Sequence, residues 1–155
     1  MKVKVRAVIV HESKLVVSRE RRQGVEHILL PGGRVQDGES VTDALVREVA
    51  EETGLHVVPE RLLYVAEVVG SYGAHDVNLV WLAAPRDGEP ALDPGTLVAL
   101  DSPELESIMP PIIEWIAADA ARGWPRGVRW LGNVKRPPAK SASPGKGSAE
   151  PGRDQ

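Results

Sequence analysis

The stretch PGGRVQDGESVTDALVREVAEETGL, residues 31–55, predicts a glycine turn, a short acidic loop and one helix. Ser40 is a good N-cap, and Asp43 three residues later completes a capping-box pattern at the helix start. Gly54 can adopt the left-handed conformation that closes a helix at its carboxyl end. Helical spacing places three aliphatic side chains on one stripe that should face a core: Val41, Leu45 and Val49.

Acidic residues share that apolar stripe. Glu48 and Glu52 fall among the aliphatic positions, and Glu51 lies on the flank. Half-burying carboxylates is costly unless something neutralises them, so the pattern indicates a compensating cation. Carboxylates without cysteine, and without histidine in the helix, are hard oxygen ligands that favour Mg²⁺ or Mn²⁺ over zinc. The alternative is an ordinary solvated acidic run, as most such runs are.

The spacing of the fixed residues favours the cation. Gly33, five residues, Glu39, seven residues and then REVAEETGL at 47–55 resemble the Nudix box, G-x5-E-x7-R-E-U-x-E-E-x-G-U with U aliphatic. Every fixed position of that motif matches. Elsewhere the resemblance rests mostly on the order of elements. It implies an α/β/α sandwich with a mixed β-sheet between helices, and a hydrolase that cleaves a nucleoside diphosphate linked to another group X.

The resemblance also implies roles for individual residues. Glu48 and Glu52 are the primary metal ligands, Glu51 is a ligand or a water activator, and the Gly32 carbonyl completes the metal shell. Catalytic roles are expected for Glu51, Glu52 and Arg47, which can orient Glu51 four residues later. Structural roles in the motif fall to Gly33, Glu39 and Gly54. Three acids outside the box are left open as the general base: Glu67, Glu104 and Glu106.

Substrate contacts are expected from Arg34 at the pocket mouth and from Arg19 in the preceding loop. In the family, a proline about fifteen residues past the box often marks ADP-ribose hydrolysis, but position 70 is glycine. Tyr72 lies at the spacing of a tyrosine that often marks dinucleoside polyphosphate hydrolysis, and His75 lies in the same loop. Open alternatives are an ADP-ribose or nucleotide-sugar pyrophosphatase and a non-catalytic nucleotide-binding module. Trp81 and Trp115 are expected in the core, or at the edge of a base-stacking slot.

The amino-acid composition limits which classes of protein remain possible. The 155 residues fit one domain, with 42% apolar and 26% charged residues and no cysteine for disulfides or thiolate metal sites. No apolar run approaches a membrane span, and KVKVRAVIV at the start alternates like a strand instead of a signal peptide, so a cytoplasmic location is expected. Residues 132–155 are basic and the rest is acidic, which argues against polymeric nucleic acid as a partner.

Along the chain, alternating residues predict strands at 2–10, 14–19, 61–71 and 77–85, with short ones at 27–30 and within 91–100. The polar residues 19–27 are expected to form a loop, and Pro59-Glu60 a break. A second helix is expected after Pro111. Residues 127–134, GVRWLGNV, are either a last strand or an arm that docks Trp130 and Leu131 on the body or on a second subunit, which leaves a homodimer open. The domain is set at 1–131 with a flexible tail at 132–155, of which residues 137–155 are expected to be disordered.

Overall fold

A mixed five-stranded sheet organises the chain. The structure is a computed structural model that describes residues 1–70, 74–86 and 92–134. The five strands are β1 Lys2–Val8, β6 Gly32–Arg34, β7 Val57–Val69, β8 His75–Pro85 and β10 Arg129–Asn133. Their order across the sheet is β10-β7-β8-β1-β6. The sheet is mixed because β1 runs parallel to β8 and antiparallel to β6, while β7 and β8 form an antiparallel hairpin.

Two helices cover the two faces of this sheet. Helix α1, Val41–Thr53, packs on one face through Ala44, Leu45 and Val49, against Val5 and Ala7 of β1. Helix α2, Ile113–Arg122, packs on the other face through Ile116, in a separate cluster with Val8, Val80 and Leu131. The predicted α/β/α sandwich is confirmed, and so is the alternation of β1, whose odd and even positions supply different clusters.

Local signals set both ends of α1. The Ser40 hydroxyl accepts a hydrogen bond from the Asp43 N–H at 3.1 Å, so one of the unpaired amides of the first turn is satisfied. Gly54 closes the helix at φ +78°, and its N–H donates to the Ala50 carbonyl at 2.9 Å. The N-cap and C-cap predictions are therefore confirmed.

Short elements complete the framework around the sheet. Strands β2 Val10–His11, β3 Lys14–Val16 and β9 Leu97–Ala99 form a three-stranded sheet. Strands β4 Ser18–Arg22 and β5 Val25–Leu29 form a two-stranded hairpin. Two 3₁₀ turns, Pro94–Thr96 and Pro103–Ser107, lead into and out of β9.

The predicted loop at 19–27 is wrong, because these residues form most of the β4–β5 hairpin. Gln23 and Gly24 form its tip with positive φ values of 50° and 77°, as in the two-residue turns that suit twisted hairpins. Four of the five β4 residues are charged, and Ile28 in β5 is the one buried residue of the hairpin, so no apolar alternation indicates the strands.

The predicted break at Pro59-Glu60 is also wrong. Strand β7 continues through it, and the pairing with β8 shifts register between Pro59 and Arg61, which is a bulge. At this end β7 pairs with β8 alone among the described strands, since β10 pairs only from Tyr64 onward. A proline that cannot donate a ladder hydrogen bond is tolerated at such a position.

The carboxyl-terminal part of the described chain joins the sheet as strand β10. This strand pairs in parallel with β7, so Arg129–Asn133 form the predicted last strand instead of a docked arm. Buried Asp119 of α2 ties the two elements together: it accepts from Tyr64 Oη at 2.5 Å and from Arg129 Nη2 at 2.7 Å. Burial and the Asp119 carboxylate raise the pKa of Tyr64.

Strand β10 continues through Asn133, and Val134 is buried, so the ordered framework extends past residue 131. The rest of the expected tail lies outside the described residues. No helix in the described ranges is long and apolar enough to cross a membrane.

Candidate active site

Two adjacent glycines let the β6 strand approach β1 and α1 closely. Gly32 has φ +152°, and a Cβ atom added there would lie 1.9 Å from the Val5 carbonyl oxygen of the neighbouring strand. A Cβ atom at Gly33 would lie 2.6 Å from the carboxyl carbon of Glu48. The absence of a side chain at Gly32 therefore leaves room for the backbone of β1, and its absence at Gly33 leaves room for the Glu48 carboxylate.

Arg47 is the centre of the ion-pair network on α1. Its guanidinium binds Glu39 through two hydrogen bonds, Nε to Oε2 at 2.6 Å and Nη2 to Oε1 at 2.9 Å. Its Nη1 donates to Glu48 at 3.1 Å and to Glu51 at 3.2 Å, and its Nη2 reaches the Arg34 carbonyl at 3.3 Å. The predicted contact between Arg47 and Glu51 is present, and Arg47 also fixes the loop before the helix.

Glu39 holds that loop in place. Its carboxylate accepts from the Gln36 N–H at 3.1 Å, and the Gln36 carbonyl accepts from the Glu39 N–H at 3.1 Å. The hydrogen bonds from Arg47, followed by the one from Gln36, lower the pKa of Glu39 to about 2. A carboxylate fixed by three hydrogen bonds in this way positions the turn and is a poor proton acceptor.

Glu52 reaches from the last turn of α1 to the glycine turn. Its Oε1 accepts from the Gly32 N–H at 3.3 Å. The residue is exposed overall, but atoms packed around the carboxylate desolvate it and raise its pKa. Ser18, the Gly32 N–H and Arg6 oppose that rise, while the charge of Glu48 adds to it. Glu48 and Glu52 thus repel each other across a desolvated space, as the sequence analysis expected of carboxylates that bind a cation.

The side chains at the glycine turn supply part of a binding site for a divalent cation. Glu48 and Glu52 supply hard oxygen donors at the glycine turn, whereas Glu51 is largely exposed and its carboxylate faces Arg47. Within the described ranges, no three His, Asp or Glu side chains lie close enough together to hold a metal ion. Glu51 would have to change rotamer to join the other two. At Gly32 the recorded contact is through the N–H, so the role of its carbonyl stays a prediction.

A cleft opens beside these carboxylates and has two adjoining lobes. The larger lobe has a volume of about 530 Å³ and contains Glu52, Gly32 and Gly33 in its wall. Its basic side chains are Lys4, Arg6, Arg19, Arg22 and Arg34. The smaller lobe, of about 240 Å³, shares Lys4, Arg6, Glu20, Arg22 and Leu29 with it and adds His27, Val68, Asp76, Asn78, Met109 and Pro110. An acidic edge beside a basic cleft suits a polyphosphate with a bound cation.

The predicted substrate residues have different surroundings. Arg34 and Arg19 both line the larger lobe. Arg19 is already bound to Glu104 at 2.7 Å, to Glu26 at 3.1 Å and to the Gly95 carbonyl at 2.8 Å. Glu104, one candidate for the extra acid, is thus neutralised by Arg19, which lowers its pKa. Tyr72 lies outside the described residues.

The other candidates are placed as follows. Glu67 pairs with His75 Nε2 at 2.7 Å across the β7–β8 hairpin, so both members of that pair have a partner. Glu106 is exposed on the second 3₁₀ turn. Trp81 packs against the cluster under α1 and Trp115 against the cluster under α2, and neither ring lines either lobe. The core interpretation of both tryptophans is confirmed.

Sequence reasoning missed the floor of the cleft. Lys4 and Arg6 point from β1 to the same face as Asp76 and Asn78 of β8, and Lys4 pairs with Asp76 at 3.0 Å. The alternation of β1 predicts which aliphatic side chains face the core. Its basic side chains, Lys4 and Arg6, look in the sequence like an ordinary solvent-exposed face. A strand of an α/β sandwich is covered on both faces. Basic residues on the second face of β1 therefore indicate a binding surface.

Comparison with known proteins adds to this geometry. A family model described as the NUDIX domain matches residues 1–133. The human protein named 8-oxo-dGDP phosphatase NUDT18 is 42% identical over 74 residues, which is 48% of this chain and 22% of that protein. The chain thus spans under a quarter of that relative's length. A solved NUDIX hydrolase from Nitrosomonas europaea superposes with a TM-score of 0.67 at 26% identity, covering 79% of this chain and 90% of the other. A MutT NUDIX hydrolase from Burkholderia pseudomallei is 33% identical with a TM-score of 0.53, covering 65% and 84% of the two chains.

Proposed function

Because the chain belongs to the NUDIX family, we propose that it hydrolyses a pyrophosphate bond in a nucleoside diphosphate linked to another group, with Mg²⁺ or Mn²⁺ bound at α1. The observation that carries the proposal is the position of Glu48 and Glu52 at the edge of a cleft whose wall is basic. The metal supplies charge neutralisation of phosphoryl oxygens and activation of a water molecule. Glu48, Glu52 and, after a rotamer change, Glu51 are the proposed ligands.

The side chains around the ligands have distinct proposed tasks. Arg47 positions Glu48 and Glu51 on the helix and locks the loop through Glu39. Gly33 keeps the space that the Glu48 carboxylate occupies. Arg34 and Arg19 face the larger lobe and are proposed to contact the substrate. Glu51 is proposed as the third ligand or as the proton acceptor because it lies on α1 beside Glu48 and Glu52. Like Glu104 and Glu67 it has a partner, Arg47, which it would have to leave.

The substrate class is argued from the relatives and from the cleft. The human relative is named for a nucleoside diphosphate carrying an oxidised base. The larger lobe has five basic side chains against two acidic ones, Glu20 and Glu52, which favours two or more phosphoryl groups. We therefore propose nucleoside di- or triphosphates first and dinucleoside polyphosphates second. ADP-ribose and nucleotide sugars remain an alternative, and Gly70 stands where the proline cue for ADP-ribose would be.

A phosphate-release screen tests the proposal. Nucleoside di- and triphosphates, their oxidised-base forms, dinucleoside polyphosphates, ADP-ribose and nucleotide sugars are each incubated with Mg²⁺ or Mn²⁺. We expect turnover of at least one class, loss of turnover in chelator, and loss in Glu52→Gln. The alternative of a non-catalytic binding module is favoured by the orientation of Glu51 toward Arg47. Nucleotide binding without turnover across the whole panel would support that module and contradict the hydrolase.

A further inference from the structure

Arg6 is a buried cation in the floor of the cleft. It lies on β1, between β8 and β6, and is 7% exposed. It belongs to the lining of both lobes, so it stands where they meet. A charged side chain in such a position loses most of its hydration, which is unfavourable unless another charge replaces the water.

Among the described residues, no carboxylate contacts Arg6 directly. Arg6 donates to two neutral oxygens, the Leu30 carbonyl at 2.9 Å and Asn78 Oδ1 at 3.3 Å, and it makes no ion pair among the described residues. A guanidinium has five N–H donors, so two hydrogen bonds leave part of its capacity unused. Burial accordingly lowers the pKa of Arg6.

The acids that surround Arg6 at longer range already have partners. Asp76 pairs with Lys4, and Glu20 pairs with Arg22. Glu48 is bound by Arg47, and Glu52 accepts from the Gly32 N–H. These acids lessen the electrostatic cost of burying the Arg6 charge without occupying its donors. The donors that these contacts leave unused are available to an anion that enters the cleft.

We propose that Arg6 binds phosphoryl oxygens of the substrate at the junction of the two lobes, as a positioning residue that acts beside the metal ligands. This inference rests on the proposed function, because it takes a diphosphate or longer chain as the ligand. The guanidinium fork matches two oxygens of one phosphoryl group, and its buried, strand-anchored position fixes where that group lies. A purely structural task, bonding Leu30 and Asn78, needs a donor but not a charge.

Binding of inorganic pyrophosphate in chelator tests this without turnover. Dissociation constants are measured by calorimetry for the unchanged chain, for Arg6→Gln and Arg6→Lys, and for Arg61→Gln as the matched control. Arg61 also donates to a backbone carbonyl, that of Trp124 at 3.2 Å, but lines neither lobe. We expect Arg6→Gln to weaken binding at least tenfold, and Arg6→Lys to weaken it less because it keeps the charge without the fork. Arg61→Gln should bind as the unchanged chain does.

Two results would overturn the proposal. One is binding of pyrophosphate by Arg6→Gln within twofold of the unchanged chain, and the other is no binding by the unchanged chain. If Arg6→Gln gives no cooperative melt, Arg6→Lys decides the question, since equal affinity in that variant would remove the requirement for the fork. Because no metal and no turnover are involved, a failure of the hydrolase proposal would leave this measurement intact.

Discussion

Substituting each of the two turn glycines by alanine should separate stability from activity. At Gly32 the added Cβ would lie 1.9 Å from the Val5 carbonyl oxygen, 2.8 Å from the Val5 carbonyl carbon and 2.9 Å from the Arg6 Cα. All three atoms are backbone of a central strand, so relief requires β1 and β6 to move apart. We expect Gly32→Ala to lower the free energy of unfolding by about 3 kcal/mol or more, at the upper end of overpacking effects.

At Gly33 the contact is with the end of one side chain. The Cβ would lie 2.6 Å from the Glu48 carboxyl carbon, and Glu48 can rotate away, so the cost in stability should stay below about 1 kcal/mol. The carboxylate must nevertheless shift by about 1 Å, a displacement that can reduce turnover on the order of 10²-fold, or about 2.7 kcal/mol in the barrier. Gly33→Ala should therefore fold normally and turn over poorly.

Urea unfolding and turnover, measured on the same preparations, test this pair. Gly38→Ala is the control, since Gly38 also has a positive φ of 81° but meets open space, so only backbone strain of roughly 1 kcal/mol is expected and turnover should persist. Full turnover in Gly33→Ala would refute the assignment of the space above Gly33 to a catalytic carboxylate. Normal stability in Gly32→Ala would refute the close approach of β6 to β1.

Two further predictions concern parts of the molecule away from the metal ligands. Asp119→Ala removes the hydrogen-bond acceptor of Tyr64 and Arg129 at a position that is 2% exposed. In urea titrations it should lower the free energy of unfolding by about 3 kcal/mol without changing the response to Mg²⁺. A loss below about 0.5 kcal/mol would contradict the role of this network. Glu39 has a folded pKa of about 2, below its ordinary value of 4.5, so its contribution to stability is fully present above 4.5 and is lost as the pH falls toward 2. Urea midpoints measured between pH 2.5 and 6 should therefore fall less steeply in Glu39→Gln than in the unchanged chain, and parallel curves would contradict the pairing with Arg47.

The sequence predicted α1 with its caps because those signals are local. Ser40, Asp43 and Gly54 act within one turn of their own position, and the stripe of Leu45 and Val49 depends only on helical spacing. The box resemblance then identified the carboxylates that gather at the glycine turn. None of this required knowledge of distant parts of the chain.

The features that the sequence did not predict depend on pairing between distant residues. In the β4–β5 hairpin four of the five β4 residues are charged and Ile28 alone is buried, so its strands have no apolar period to detect. The bulge at Pro59 is compatible with a strand only because β10 begins to pair farther along. Arg6 and Asn78, which are separated by 72 positions, became a site only when β1 paired with β8. Period-2 patterns identify a strand face but not what covers it.

Thermal melts of Glu48→Gln and Glu52→Gln with and without Mg²⁺, run beside the turnover assay, test the claim that Glu48 and Glu52 hold a divalent cation that drives hydrolysis. We expect the melting temperature in chelator to rise or stay level, because each change relieves repulsion on the helix, while the stabilisation by Mg²⁺ shrinks. Turnover should fall on the order of 10²-fold or more. Unchanged turnover in both variants, with the full stabilisation by Mg²⁺ retained, would contradict the claim.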